Sequence, residues 1–325
     1  MPTPDMPTPD RPRPDIRSGN GSPPGPARYD VRHATAYTYS ESVPICHNEI
    51  RLVPRDLPTQ RLLSNSISVV PQPDHVSTHV DFFGNTAGIF AIDEPHERLV
   101  VTSTSRVEVE PPREWTGFER LPWESLRDRL AHGTDPAELA ARQFTGDSPL
   151  VRSSPRLAAW AAESFTPGRP WAEAVVDLTR RIHRDFAYDP AATTTSTAVE
   201  EVFALRRGVC QDFAHLEIAC LRSLGLAARY VSGYLSNERG VQGTAGGRNN
   251  DAGMVGADAS HAWLACWGGD DGWLDVDPTN DCTAGTLHVT VAWGRDYGDV
   301  SPVKGVCVGG GSHGIEVAVH VSRIA

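Results

Sequence analysis

Apolar and polar residues alternate in short runs over the first third of the chain, at Tyr29–Tyr39, Glu49–Val53, Leu62–Pro71, His75–Phe82, Thr86–Ile92 and Leu99–Val109. Pro44, Pro58, Pro73, Gly84-Asn85 and Pro95 punctuate the runs, so the pattern predicts an antiparallel β-sandwich or small barrel. Asp81-Phe82-Phe83-Gly84-Asn85 reads as one of its hairpins. Beyond Pro111 the apolar period lengthens to that of helices. Trp123–His132, Pro136–Phe144 and Arg156–Phe165 read as short helices, and Trp171–Arg184 as a stronger one that buries Ala174, Leu178 and Ile182. Val199–Leu205 is a helical turn. From Cys210 to about residue 224 the residues Phe213, Leu216, Cys220 and Leu224 form one apolar stripe of a helix that stops at Gly225. Strands follow at Ala227–Leu235, Ser260–Trp267, Gly272–Pro278, Leu287–Trp293 and Gly314–Val321, and the Gly268–Gly272 turn joins the second and third into a hairpin. On the first of these strands, Arg229 and Tyr234 are candidates to reach the cleft, set against the default readings of a solvated Arg and a packed Tyr.

Candidate chemistry gathers at the start of the long helix. A free cysteine is by default a small buried apolar residue. Cys210 differs in position, because unpaired backbone N–H groups and the positive end of a helix dipole favour thiolate over thiol. A thiol nucleophile also needs a base and a group to orient it. The predicted hairpin supplies both, with His261 and Asp277 near its open end. Asp275, two residues away on the same strand, shares the face of Asp277. A zinc site from Cys210, His215 and Cys220 fails on spacing, since helix positions five apart diverge by about 140°.

Gly-Val-Cys-Gln-Asp-Phe-Ala-His at 208–215, His-Ala-Trp at 261–263 and Asp-Pro-Thr-Asn at 277–280 resemble the three motifs of the transglutaminase-like (papain-fold) superfamily. His33-Ala34-Thr35-Ala36-Tyr37-Thr38-Tyr39, Arg51-Leu52-Val53-Pro54-Arg55-Asp56 and Asp81–Asn85 are similar to the N-terminal β region of its bacterial members, and Gly294–Val300 also resembles that group. The resemblance implies an α+β papain-like cysteine-enzyme core, helix plus antiparallel sheet, preceded by an antiparallel β-sandwich domain. It implies Cys210 as nucleophile, His261 as base and Asp277 as the residue that orients the imidazole. The Cys210 backbone N–H, Gln211, Tyr188 and Trp263 are the candidates for holding substrate or oxyanion. The reaction implied is acyl transfer or hydrolysis at an amide of a peptide or protein, with water or a small amine as acceptor. Animal transglutaminases carry Trp directly after the nucleophile where this chain has Gln211, which points toward an amidase, peptidase or acyltransferase and away from protein crosslinking. The reading from a different class is a non-catalytic interaction module that keeps the fold.

Composition sets outer bounds. Thirty basic against 41 acidic residues give a formal charge of −11, which supports neither nucleic-acid nor anionic-membrane binding. No apolar run approaches the ~20 residues that span a bilayer. Six cysteines without a C-x-x-C pair read as reduced thiols, with neither a disulfide framework nor a metal or cofactor expected. Without an apolar leader in residues 1–28, the expected location is the cytoplasm. The expected organisation is a Pro-rich disordered tail at 1–28, a β-rich domain at 29–112, a helical connection at 113–170, and a catalytic core with C-terminal strands at 171–325. Glycine-rich Asn237–Asp258 predicts a loop placed to cover the site, and Gly309-Gly310-Gly311 reads as a hairpin connection.

Overall fold

The computed structural model describes residues 25–112, 120–236, 254–255 and 260–324. Nearly all of the Pro-rich tail, and the loop expected over the site except Met254 and Val255, lie outside the described residues.

The N-terminal region folds as six strands, β1 (Ala27–Val43), β2 (Ile45–Ile50), β3 (Gln60–Val70), β4 (Val76–Val80), β5 (Thr86–Ile92) and β6 (His96–Val109). Four helices follow, α1 (Trp123–His132), α2 (Pro136–Arg142), α3 (Pro155–Ala161) and α4 (Trp171–Asp185). Next come β7 (Ala187–Tyr188), α5 (Val199–Leu205), β8 (Arg207–Gly208) and α6 (Cys210–Ser223). The chain ends in β9 (Ala228–Leu235), β10 (His261–Trp267), β11 (Trp273–Asp277), β12 (Cys282–Thr283), β13 (His288–Gly294), α7 (Tyr297–Val300), β14 (Val303–Val308) and β15 (His313–Arg323).

Two four-stranded sheets, β15-β1-β6-β3 and β14-β2-β5-β4, form the sandwich. They share one core in which Tyr39, Leu99 and Val101 of the first sheet meet Ile50, Phe90 and Ile92 of the second. β1 is long enough to serve two cores. Its first residues, Ala27, Tyr29 and Val31, alternate into the core that holds the helices, whereas Tyr39 and Val43 point into the sandwich. The C-terminal strands correct the expected boundary at 171–325. β14 pairs with β2 and β15 with β1, so residues 303–323 complete the N-terminal sandwich and leave a separate five-stranded sheet of β12-β11-β10-β9-β13. β14 is also a strand that the alternation pattern alone did not predict, since its Val303-Lys304-Gly305-Val306-Cys307-Val308 lies largely exposed on an edge.

α6 also departs from expectation. A single apolar stripe predicts one buried face, yet Gln211 through Arg222 are all buried, because α3, α4 and α5 surround the helix where the sheet does not. Its polar residues are held by partners. The Arg222 guanidinium donates to the carbonyls of Phe144, Ala228 and Arg295, which ties the end of α2, the start of β9 and the end of β13 to the helix. His215 Nε2 accepts the backbone N–H of Tyr297 at 3.1 Å, so the Gly294–Val300 motif anchors the helix from the far side.

Candidate active site

Cys210 is the first residue of α6 and is half-buried. Val209 leads into it with extended backbone (φ −114°, ψ −178°), and its N–H donates to Asp212 Oδ2 at 2.8 Å, while the valine side chain itself offers no acceptor to the helix start. The Thr193 hydroxyl donates to the same oxygen at 2.6 Å, which ties the polar 193–197 loop to the helix start. Gly208 is required by this packing, because a Cβ there would stand 2.6 Å from Asp212 Oδ2. Just upstream, Arg206 turns the chain with left-handed backbone (φ 54°), and its guanidinium lies 4.3 Å from the Phe203 ring centroid and 4.6 Å from that of Phe186. The outcome is a cysteine on a first turn whose entry is tied down by Asp212.

β10 and β11 form the expected hairpin. Leu264 stands opposite Val276, a register that puts Asp277 across from Trp263 and diagonal to His261. The diagonal is bridged by His261 Nε2 donating to Asp277 Oδ2 at 2.8 Å, with neither side chain exposed. Asp277 Oδ2 also accepts Asn280 Nδ2 at 2.7 Å and His288 Nε2 at 3.3 Å, and Oδ1 accepts the N–H groups of Thr279 at 2.9 Å and Asn280 at 3.3 Å. Burial alone would push Asp277 up, but the two imidazoles and their hydrogen bonds hold it far below the ordinary carboxylate range. Burial likewise opposes a charged His261. The Asp277 charge and hydrogen bond, with a smaller contribution from Cys210, outweigh it and raise the ring to about 10. Since Nε2 is committed to Asp277, the influence of Cys210 falls on Nδ1. That atom is buried and has no other hydrogen-bond partner among the described residues, which leaves it available to the sulfur.

The other candidates take different places. Tyr188 lies half-exposed near Cys210, and its phenol is pushed up by burial and by that sulfur. The Gln211 side-chain amide donates to Thr195 O at 3.0 Å, so it braces the loop instead of reaching a substrate. Trp263 is fully buried, which removes it as a substrate contact. Its ring stacks on His261 with centroids 6.1 Å apart, and Nε1 donates to Asp275 at 3.0 Å, so it backs the imidazole from behind. Gly233 makes room for that indole, since a Cβ there would stand 2.5 Å from it.

The sequence reading missed His288 and Tyr230. His288 reaches Asp277 through the turn after β12, and Tyr230 is buried close enough to Cys210 for the sulfur to help raise its phenol after burial has done most of the work. Neither has a spacing signal, because each arrives from a different strand. Asp277, Cys282 and His288 also bring three ligand-type atoms within 4.8 Å of one another. The hydrogen bonds there disfavour a metal. His288 Nδ1 accepts the Gly285 N–H at 3.3 Å, which places the ring proton on Nε2, the atom that faces Asp277. Burial, with Asp277 and Asp281, raises the Cys282 thiol well above its ordinary value.

Residues 29–108 match the bacterial transglutaminase-like N-terminal region, and residues 158–278, which include Cys210, His261 and Asp277, match the transglutaminase-like superfamily. An uncharacterized protein of Mycobacterium tuberculosis is 40% identical over 289 residues, covering 87% of this chain and 88% of the relative. The chain belongs to the transglutaminase-like superfamily. An uncharacterized Mycobacterium leprae protein shares 33% identity over 300 residues, 92% of this chain and 99% of its own. A 135-residue stretch of the chain is 34% identical to a protein-glutamine gamma-glutamyltransferase of Pseudomonas aeruginosa; the match covers 40% of this chain and 19% of that one. The solved structure of a candidate cysteine protease from Cytophaga hutchinsonii superposes with a TM-score of 0.70 at 19% identity, over 92% of this chain and 91% of the other. At that identity the likeness concerns the fold, and it extends across both the sandwich and the transglutaminase-like core.

Proposed function

We propose that this transglutaminase-like protein is a cysteine-dependent amidase, peptidase or acyltransferase in which Cys210 is the nucleophile. The observation that carries the reading is the His261–Asp277 pair. Its 2.8 Å bond fixes the tautomer that leaves Nδ1 toward the sulfur at a helix start. In the proposed cycle the Cys210 thiol gives its proton to His261 Nδ1, the thiolate sulfur attacks the amide carbonyl carbon, and the carbonyl π electrons move to oxygen. The tetrahedral adduct collapses as His261 Nδ1–H protonates the departing amine, leaving a thioester. Water or a second amine, giving its proton to Nδ1, then attacks the thioester and releases the acyl group with return of the thiol. Asp277 keeps Nε2–H in place throughout and stabilises the charged ring without itself taking a proton. The Cys210 backbone N–H and the Tyr188 hydroxyl are the donors we assign to the oxyanion. The test is labelling by iodoacetamide near pH 7 with mass spectrometry, alongside turnover of a peptide amide panel. Cys210 is expected to label faster than Cys46, Cys220, Cys266, Cys282 and Cys307, and Cys210→Ala to abolish turnover with little change in melting temperature. Slow labelling of Cys210 in the folded protein, or turnover that survives Cys210→Ala, sinks the reading.

A further inference from the structure

Arg229, expected on the strand as a solvated side chain, is instead more than nine-tenths buried, at 9% exposure. Its guanidinium lies between two indoles, 3.6 Å from the Trp293 ring centroid and 4.2 Å from that of Trp273. Arg55 sits 3.5 Å from the Trp293 centroid, and two guanidinium groups that close to one ring must occupy its opposite faces. The result is an alternating stack of Arg55, Trp293, Arg229 and Trp273. Such stacking satisfies the flat faces of a guanidinium but not its N–H groups, which point outward in the plane. Arg55 bonds through that edge to Asn85 and to Phe83 O. Arg229 does not. Its Nε is buried without a partner, and no group among the described residues accepts a hydrogen bond from it. Asp275 acts on it only at a distance, and burial lowers its pKa to about 9.

Arg229 lines a cleft of about 380 Å³ whose other walls include Phe82, Phe83, Phe144, Trp267 and Trp273. This cleft is separate from the triad. Along β10, His261 pairs with Gly233 while Ala265 pairs with Arg229, four residues or about 13 Å further down β9. Arg229 shares one sheet face with Trp263 and with His261 itself, so it is distance along the strands that parts the cleft from the triad. We propose that this cleft is a second binding site, which takes a single carboxylate carried on an aromatic or bulky apolar body, the carboxylate meeting the Arg229 edge and the body lying among the rings. One guanidinium with a free edge matches one carboxylate in a two-pronged hydrogen bond. A phosphate dianion is disfavoured, because it calls for a second cation and neither arginine nearby is free: Arg55 is committed to Asn85, and Arg129 is paired with Asp270 at 2.7 Å. A neutral ligand would leave the buried guanidinium edge unmade. The carboxylate could come from a free small acid or from the end of a peptide chain, and both present the same group.

The test uses the full chain with Cys210 capped by iodoacetamide, so that binding at the triad does not contribute. Tryptophan fluorescence is followed during titration with N-acetyl-L-phenylalanine and with its neutral amide, and with the tetrapeptide Ala-Ala-Ala-Phe as free acid and as C-terminal amide. Saturable quenching by the acids is expected, with each amide at least about tenfold weaker, a difference of roughly 1.4 kcal/mol. Arg229→Gln is expected to erase the preference for acid. Because that change also unstacks two indoles, Phe82→Ala at the rim, where the ring is 83% exposed, provides a variant that leaves the stack intact. It is expected to weaken acid binding severalfold while iodoacetamide labelling of Cys210 in the uncapped protein is unchanged. Tighter binding of the tetrapeptide assigns the site to chain ends, and tighter binding of the small acid assigns it to free acids; either ranking upholds a carboxylate site. Equal binding of acid and amide, no saturation by about 10 mM acid, or an acid preference that survives Arg229→Gln overturns the proposal.

Discussion

Asp277 is the residue on which the proposed chemistry turns, and its surroundings separate it from Asp275. Asp277 is fixed by His261, His288, Thr279 and Asn280, whereas Asp275 accepts one bond from Trp263 Nε1 and is pushed up by burial. Asp277→Asn keeps the shape but presents an amide to His261, so the ring loses its orienting acceptor and its charge partner. Turnover is expected to fall by about 10³–10⁴. Asp275→Asn retains an oxygen for the indole and is expected to stay within about tenfold of wild type. Steady-state kinetics on the two purified variants decides this, and the opposite ranking would move the orienting role to Asp275. Cys210, His261 and Asp277 were legible because each lies in a short motif beside a predictable element boundary. His288 and Tyr230 were not, since only the strand order brings them near, and Trp263 was misread because its motif position says nothing of which way the indole packs.

At the scale of the element, α6 is the least expected feature, a central helix that buries polar side chains on every face. Glu217 lies wholly buried in it, and burial raises its carboxyl well above the ordinary value. The local bonding agrees with a protonated acid. The one hydroxyl proton of Thr179 cannot serve both Val175 O at 3.0 Å and Glu217 Oε1 at 2.7 Å, so a proton on Glu217 completes the chain. The native protein therefore holds a proton that the unfolded chain releases above about pH 4.3. For a carboxyl raised in the fold, stability is greatest below the unfolded value and declines as pH climbs toward the folded value. Glu217→Gln mimics the protonated acid and removes that decline. Urea unfolding between pH 5 and 8 is expected to show the variant gaining on wild type as pH rises, by at most about 1.4 kcal/mol per unit. A pH-independent difference between the two would mean that Glu217 folds ionised. The helix span and the β10–β11 hairpin were readable from apolar period and glycine punctuation. Burial of the helix on all sides was not, because it depends on α3, α4 and α5 packing around it.

At the scale of the whole molecule, one joint lies at the outer edge of β13, the last strand of the five-stranded sheet. An edge strand presents unpaired N–H and C=O groups, and here two side-chain amides from the sandwich meet them. Gln60 accepts the Thr290 N–H at 2.8 Å and donates to Thr290 O at 2.8 Å, and Asn85 accepts the Trp293 N–H at 3.0 Å and donates to Trp293 O at 2.9 Å. These residues act as a discontinuous sixth strand. That gives a physical role to the Asp81–Asn85 turn, which sequence pattern identified only as a hairpin. Asn85 has no exposed surface and also holds Arg55 and Asp81, so its loss cannot be repaired by water without opening the joint. Asn85→Ala leaves the Trp293 N–H and C=O without their side-chain partner and strips Arg55 and Asp81, which keeps Arg51, of one hydrogen bond each, and is expected to destabilise the full chain by roughly 2–5 kcal/mol. Hydrogen exchange should quicken at the Trp293 amide while the β10–β11 hairpin amides stay protected. A loss under about 1 kcal/mol, with exchange at Trp293 unchanged, would show that the sandwich and the five-stranded sheet are held together elsewhere, as where Ala27, Tyr29 and Val31 pack into the helical core and Tyr234 bonds His33 at 3.1 Å.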